Sequence, residues 1–348
     1  MLLSLPPELV TRIVRLALPT ATAIDGEHIR ERFTSTTYKD RQALLKRLCL
    51  VNSRMKEVVQ PILEEAAWCR TDKANTDRRT LPNERDRLKF SWFTRPDRRV
   101  DGILSNSKAF LREVRLFGPG EVDLGGLAGL PHLRRLVLDN VELVVPPTHS
   151  SLPQVDRLTW RHVKLPPDCT SHPVLNPTSL PSLRAFFHIP HPSSLPLDRT
   201  LLSQLDCATY FLNVEPEGPS EDCSILTDIV TLNPLPARPY LRWTCSATRT
   251  SDDREFWLRY ELHSLLSDGV PGDVLRHLKR FYLPAFGDPS RCTDQTLRPH
   301  VVSLLEIMRN SGVEVVFEDQ DGDGADRISD DFWRYARERT KERRKRGR

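Results

Sequence analysis

Leu111-Arg112-Glu113-Val114-Arg115-Leu116 is the stretch that decides the fold of this chain, because its apolar frame L-x-x-L-x-L returns at a nearly constant interval. The frame recurs at Leu133-Leu136-Leu138, Val155-Leu158-Trp160, Leu183-Phe186-His188 and, more weakly, Leu205-Ala208-Tyr210. The first residues of successive frames are 22, 22, 28 and 22 positions apart. Such a period predicts that the middle of the chain is built from copies of one small unit.

The spacing within a frame predicts a short strand. Its last two apolar residues are two positions apart, so they point to the same side, while the first packs under the turn that leads into the strand. One strand cannot cover its own apolar face, whereas neighbours stacked at a regular interval bury a continuous core, as in a solenoid. Ordinary buried strands in a sandwich are the alternative. A Leu-Pro turn introduces three of the frames, at residues 130–131, 152–153 and 180–181.

The phrase Leu-Pro-x-Leu-Arg-x-Leu at residues 130–136 resembles leucine-rich repeats, and this resemblance covers residues 108–213. It implies a concave strand face that selects a protein target. By strand alternation, the positions between the apolar residues of the frames face that surface. The expected target-binding residues are therefore Arg115, Val137, Thr159 and Phe187. Eleven prolines between Pro146 and Pro196 predict extended or turn-rich connections on the other side.

The amino-terminal segment predicts a compact bundle of three short helices. Ser4-Leu5-Pro6-Pro7-Glu8-Leu9 has the prolines and the acid of a helix start, and Leu9, Ile13 and Leu16 follow at helical spacing. A second helical pattern begins near Asp40 and continues to Pro61. After Pro61 the chain can form one further helical turn.

These helices resemble the F-box, whose frame is LP-x-E-L…I…L followed by an apolar helix. The matching residues are Leu5-Pro6-x-Glu8-Leu9-x-x-x-Ile13 and Leu44 to Met55, although Asn52 and Met55 replace the usual Cys and Trp. The family docks on the adaptor Skp1 and so joins a substrate receptor to a cullin-based ubiquitin ligase. The resemblance implies adaptor-binding roles for Leu5, Pro6, Ile13, Leu45, Leu48 and Val51. Alternatively, residues 1–66 only cap the open edge of the repeat array.

The expected architecture is an α/β repeat fold in which a small F-box-like helical bundle precedes an irregular leucine-rich-repeat solenoid. The expected divisions are a bundle at 1–66, a partly helical joint at 67–107, a solenoid at 108–318, and an acidic turn with a basic helix and tail at 319–348. Asp319-Gln320-Asp321-Gly322-Asp323-Gly324 imitates a calcium loop, but it follows a strand and lacks the bidentate Glu, so we interpret it as a solvated turn.

Charge and cysteine usage narrow the function. Residues 334–348 contain nine Lys or Arg and two Glu, so their net charge is +7. The net charge of the whole chain is +4, so the remaining residues have a net charge of −3. A body of that charge makes nucleic acid an unlikely partner, while the basic end resembles a nuclear-import signal. The seven cysteines contain no C-x-x-C pair, which favours a reducing compartment, cytosol or nucleus.

The sequence contains no catalytic triad, phosphate loop or metal-ligand cluster, and the expectation is a protein that is not an enzyme, with no cofactor and no metal. No apolar run approaches the roughly 20 residues that a membrane span needs, so no membrane association is expected. The leading hypothesis is the substrate-recognition subunit of a Skp1-cullin-F-box ubiquitin ligase with an unknown protein target. The rival is a repeat scaffold outside any ligase, placed in the nucleus or on RNA by its basic tail.

Overall fold

The computed structural model describes most of the chain in segments. They are residues 5–18, 35–70, 90–94, 96, 111–144, 151–166, 174–189, 199–214, 240–245, 251–269, 275, 278–292, 294–318 and 324–346. Within these segments the chain forms eight α-helices and twelve strands, and the strand pairs described below are all parallel. The α/β class is thereby confirmed. The chain divides into two compact units: Met1–Leu158 with Val163–Val174 and Thr178–Ser182, and Thr159–His162 with Leu175–Pro177 and Leu183–Arg348.

The first unit begins with the expected three helices, α1 (Pro7–Ala17), α2 (Ser35–Cys49) and α3 (Ser53–Glu64). The expectation that one helix continues to Pro61 is wrong, because the chain turns at residues 50–52 and begins again. Asn52 causes this restart: its side chain accepts a hydrogen bond of 2.9 Å from the backbone N–H of Met55 and caps α3. Pro61 lies inside α3.

The strands of the first unit form a parallel ladder that starts directly after α3. In order they are β1 (Ala66–Arg70), β2 (Phe90–Thr94), β3 (Glu113–Phe117) and β5 (Arg135–Asp139). A second, short ladder pairs β4 (Glu121–Asp123) with β6 (Glu142–Val144), and the helix α4 (Gly125–Ala128) lies between β4 and β5 in sequence. In its described residues, the expected partly helical joint at 67–107 contributes the strands β1 and β2, which extend the sheet.

The apolar frames align across the ladder. Val114 of β3 is paired with Leu136 of β5, and Leu116 is paired with Leu138. All four side chains are at most 1% exposed. The predicted strands and their common buried face are confirmed, and this alignment lets each frame cover the apolar side of the previous one.

A repeated hydrogen-bond pattern links successive frames. The carbonyl of Arg112 accepts from the N–H groups of Arg134 and Arg135 at 2.8 and 3.0 Å. The carbonyl of Arg134 accepts in the same way from Asp156 and Arg157, at 3.0 Å each. In the second unit, the carbonyl of Arg184 accepts from Asp206 and Cys207 at 2.8 and 3.2 Å. The arginine after the first apolar residue of a frame therefore supplies the same backbone acceptor in three frames.

Three of the frame strands are followed by a special backbone position, seven residues after the start of the frame. Gly118, Asn140 and His162 occupy it. Asn140 and His162 adopt left-handed φ angles of 53° and 48°, and a Cβ at Gly118 would lie 1.4 Å from the carbonyl oxygen of Asn140. The chain must turn sharply here to leave the ladder, which explains the glycine and the asparagine.

The second unit continues the alternation of strands and helices. The boundary between the units falls within β7 (Arg157–Arg161), and the ladder order is then β8, β9, β10, β11 and β12. Its elements are β8 (Ala185–Ile189), α5 (Arg199–Ser203), β9 (Cys207–Val214), β10 (Tyr240–Cys245), α6 (Ser251–Asp268), β11 (Arg280–Pro284), a 3₁₀ turn (Ala285–Gly287), α7 (Leu297–Asn310), β12 (Glu314–Glu318) and α8 (Gly324–Arg346).

One face of this second ladder is covered by α6 and α7. Their apolar side chains pack on Phe281 and Leu283 of β11 in a single buried cluster, whose other members include Leu258, Leu262, Val301 and Leu304. Among the described helices, none is long and apolar enough to cross a membrane.

We expect Leu136→Asp to lower the free energy of unfolding by at least about 4 kcal/mol, because it removes a buried leucine and places an unpaired charge in the ladder. Leu136 is 1% exposed. Val144, in β6 of the same unit, is 44% exposed and provides the control Val144→Asp. Urea denaturation followed by far-ultraviolet circular dichroism measures both. An equal loss of unfolding free energy in the two variants would contradict the burial of the frame residues in the ladder.

Candidate functional site

The three amino-terminal helices enclose a hydrophobic core of their own. Its buried members are Val10, Val14, Leu18, Leu45, Met55, Val59 and Ile62. Met55, which replaces the Trp of the F-box pattern, is 4% exposed. Met55 therefore belongs to the interior of the bundle, where a flexible thioether side chain fills irregular space well.

The helix α1 carries a second apolar stripe that faces away from this core. Leu9, Ile13 and Leu16 are 45%, 38% and 55% exposed. Successive helical residues are about 100° apart, so these three share one side of α1, next to the buried stripe of Val10 and Val14. Within the described part of the chain, α1 is thus an apolar helix with one stripe buried and another open to solvent.

Two further exposed apolar side chains lie in the turn between α2 and α3. Leu50 is 85% exposed and Val51 60%. The guanidinium of Arg54, at the start of α3, donates a 2.8 Å hydrogen bond to the carbonyl of Leu5, which holds this turn beside the start of α1. We call Leu9, Ile13, Leu16, Leu50 and Val51 the N-terminal apolar surface.

The six residues expected to bind the adaptor fall into three groups. Pro6, Ile13 and Val51 are exposed, whereas Leu5 and Leu48 are half-buried against the helical core. Leu45 is fully buried and acts as a core residue. Sequence reasoning assigned no adaptor role to Leu9, Leu16 and Leu50. The spacing of Leu9, Ile13 and Leu16 was visible, but the adjacent stripe of Val10, Val14 and Leu18 fits a core equally well, and packing decided between them.

Polar contacts fix the bundle to the start of the ladder. Arg15 of α1 forms a 2.6 Å ion pair with Glu65, and the phenol of Tyr38 donates to the carbonyl of Ala66 at 3.3 Å. The ring of Tyr38 lies edge-on to Trp92 of β2, with centroids 6.0 Å apart. The α1 stripe therefore stays exposed even though the bundle contacts the ladder through other residues.

Arg41 is the buried cation of this bundle. Its guanidinium donates a 2.9 Å hydrogen bond to the carbonyl of Ile62, near the end of α3. Burial lowers the pKa of this guanidinium to about 10, because desolvation disfavours the charged form. The side chain remains charged at neutral pH and ties α2 to the last turn of α3.

The four residues expected to offer an open target-binding face are all buried. Arg115, Val137, Thr159 and Phe187 are 1%, 2%, 0% and 0% exposed. The expectation of an accessible surface at these positions is wrong, although their alternation with the frame residues is as expected. A parallel sheet needs cover on both faces, and strand alternation alone does not show what supplies the second cover.

In the first unit this face contains a buried charge cluster. The carboxylate of Glu113 accepts a short hydrogen bond from Nε of Arg115 and lies 3.7 Å from Nη1 of Arg135, its neighbour across the ladder. All three side chains are at most 5% exposed. Phe90 and Trp92 of β2 are paired with Glu113 and Arg115, so aromatic rings continue the same face. The cluster is therefore shielded from water. In such a place the charged side chains are stabilised by pairing with one another instead of by solvent.

In the second unit the same kind of face is covered by α8. The ring of Phe332 packs on Phe187 with centroids 5.6 Å apart. Phe332, Trp333, Tyr335 and Ala336 share a buried cluster with residues from β8, β9, β10 and β11, namely Ala185, Phe187, Ile189, Cys207, Tyr240 and Tyr282. The aromatic residues near the middle of α8 thus form a packing face.

Polar contacts at both ends hold α8 in place. Asp331 forms a 2.7 Å ion pair with Arg280 of β11, and its carbonyl accepts from the phenol of Tyr240 at 3.3 Å. Near the other end, Arg343 pairs with Asp206 at 2.9 Å. Burial, and then the nearby Asp331 carboxylate, raise the pKa of Tyr240, which therefore stays a neutral donor. The acidic turn at 319–323 lies outside the described residues.

Comparison with known proteins adds no assignment: no family model, no curated protein and no solved structure matches this chain. Among the described residues, no group of three or more His, Cys, Asp or Glu side chains is arranged to hold a metal ion.

We expect Glu113→Gln to lower the free energy of unfolding by about 3–5 kcal/mol, because it removes a buried carboxylate that pairs with the buried guanidinium groups of Arg115 and Arg135. The matched control is Glu121→Gln, at an exposed position of the neighbouring short strand β4. Its effect should stay within about 0.5 kcal/mol. Urea denaturation of both variants measures the difference. A Glu113 variant as stable as the Glu121 variant would contradict the role given to this carboxylate.

We expect Phe332→Ala to cost about 3–5 kcal/mol of unfolding free energy, since it removes a fully buried ring from the face of the second ladder. Lys341→Ala, at an exposed position of the same helix, is the control and should be nearly neutral. Thermal melts followed by circular dichroism compare them. If both variants melt like the parent, α8 is not an integral part of this core.

Proposed function

We propose that this protein is an F-box protein with an irregular leucine-rich-repeat solenoid, and that it acts as the substrate-recognition subunit of a Skp1-cullin-F-box ubiquitin ligase. Its N-terminal apolar surface binds a Skp1-like adaptor, and the rest of the chain selects an unidentified protein target. The observation that carries the proposal is the second, solvent-exposed apolar stripe of α1, directly after the Leu5-Pro6 pair of the F-box pattern.

Exposed apolar helix faces have a physical cost that a partner can offset. Burying a leucine or isoleucine side chain completely is worth about 1.5–3 kcal/mol. Leu9, Ile13, Leu16, Leu50 and Val51 are between 38% and 85% exposed, so each still has part of this free energy to gain. An amphipathic helix whose anchors repeat at i, i+4 and i+7 suits a hydrophobic groove on a second protein.

The repeated contacts support the solenoid part of the proposal. The frames pair in register, the arginine carbonyl recurs as an acceptor, and the sharp turn falls at the same frame position in three frames. A repeat array also needs a cap on its terminal strand. Tyr38 of α2 packs in one cluster with Ala66 of the terminal strand β1 and Trp92 of β2, and so supplies cover there. The exposed stripe of α1 is left for a partner.

The buried strand positions change where the target can bind. Arg115, Val137, Thr159 and Phe187 cannot be contacted in this conformation, so the proposed target site belongs to loops and helix surfaces instead of the centre of the strands. The proposed place of action is the cytosol or the nucleus.

Co-expression with Skp1 and retention on a pull-down test the adaptor interaction, with Ile13→Asp as the disruptive variant. A charge in the exposed stripe should abolish retention without unfolding the bundle, because Ile13 lies outside the helical core. Arg12→Ala, at the adjacent exposed position of α1, should bind like the parent.

Three results are informative in this experiment. Retention of the parent and of Arg12→Ala, with loss in Ile13→Asp, supports the adaptor role of α1. Retention of all three proteins would show that the adaptor binds another surface, and the exposed stripe of α1 would then no longer support the proposal. If the intact chain is not retained, the ligase proposal fails, and the repeat region then acts as a scaffold without Skp1.

A further inference from the structure

Two histidines from consecutive strand–helix units meet on the outer side of the second unit. Nε2 of His300, in α7, lies 3.3 Å from Nδ1 of His263, in α6, and the ring centroids are 5.5 Å apart. The two residues are 37 positions apart in the chain. Their meeting is a product of the packing of α6 on α7 and has no counterpart in any local sequence motif.

The distance between the two nitrogens suits a shared metal ion. In a tetrahedral zinc site each Zn–N bond is about 2.0–2.1 Å, so two coordinating nitrogens are about 3.3–3.4 Å apart. The rings are inclined by 74° to each other, and without a metal ion the two nitrogens can share one hydrogen bond. Imidazole nitrogens of either type, Nδ1 or Nε2, are common metal ligands.

The hydrogen bonding of His300 prepares its coordinating nitrogen. Nδ1 of His300 lies 2.9 Å from the backbone carbonyl of Thr296, which can only accept, so Nδ1 carries the proton and Nε2 presents its lone pair. Protein ligands of metals commonly have this second contact, which fixes both tautomer and ring orientation. His263 is exposed, so its own tautomer can adjust and water can complete the coordination.

The surroundings are rigid and electrically balanced. Below the pair, Leu262 and Val301 are fully buried neighbours of the histidines and anchor α6 and α7 in one cluster. The nearest cation along α6, Arg259, is paired with Asp294 at 3.3 Å. The hydroxyl of Thr296 hydrogen-bonds this carboxylate and lowers the pKa of Asp294, which keeps it ionised opposite Arg259.

We propose that His263 and His300 form a surface site for a divalent transition-metal ion of the zinc class, bound by Nδ1 of His263, Nε2 of His300 and water. Such an ion links α6 to α7 and therefore joins two consecutive strand–helix units of the second compact unit. The site is independent of the proposed adaptor surface, which lies on α1 and the α2–α3 turn.

Isothermal titration calorimetry of the full chain with zinc chloride tests the site. His263→Ala should weaken zinc binding by at least about 10-fold, since losing even an outer-shell partner of a metal has that effect. The exposed position of His263 makes this variant the safer of the two for folding. The control His132→Ala removes another exposed histidine, in the first unit, and should leave the affinity unchanged.

A second measurement separates this site from zinc bound elsewhere. Zinc should raise the melting temperature of the parent and of His132→Ala, and it should raise that of His263→Ala and His300→Ala much less, because a ligand stabilises only the state that binds it. Equal zinc affinities in His263→Ala and His132→Ala would overturn the proposal. So would an absence of measurable zinc binding by the intact chain.

Discussion

The strand ladder of each unit has two faces, and described residues on both faces are buried. The apolar frames supply one side, on which Val114, Leu116, Leu136 and Leu138 pair in register. The intervening positions form the other side, which a free repeat array would present to solvent. Here that side is buried as well, at Arg115 and Val137 in the first unit and at Phe187 in the second. This requirement explains features that otherwise look unrelated.

The two units satisfy the requirement by different means. In the first unit, the buried carboxylate of Glu113 faces the buried guanidinium groups of Arg115 and Arg135 beside the rings of Phe90 and Trp92. In the second unit, α8 places Phe332 and its neighbours on the strands. The carboxyl-terminal segment therefore combines two roles along one helix: its aromatic first part belongs to the core, and its basic last part stays at the surface, where only Arg343 has a described ion pair across the fold.

The amino-terminal bundle shows the opposite situation, an apolar face without cover in the described chain. Two stripes of α1 have similar composition, and only Val10, Val14 and Leu18 enter the core. The departure from the F-box pattern at Met55 is absorbed inside that core, and the exposed stripe of Leu9, Ile13 and Leu16 is unaffected by it. In the proposed function, the interior of the bundle tolerates change because its surface, together with the Leu5-Pro6 pair, is what the adaptor contacts.

Local periodicity was enough to predict the strands of the frames and the helix that starts near Pro7. These elements are determined by the pattern of residues a few positions apart, and this pattern is present in the sequence itself. Local periodicity could not show which of the two stripes of α1 is buried. It also could not predict that α8 covers Phe187 or that His263 lies next to His300. The strand face at Arg115 was misjudged for the same reason. The sequence by itself determined the elements and their repeat, and tertiary packing decided which surfaces remain open, because burial depends on contacts between residues far apart in the chain.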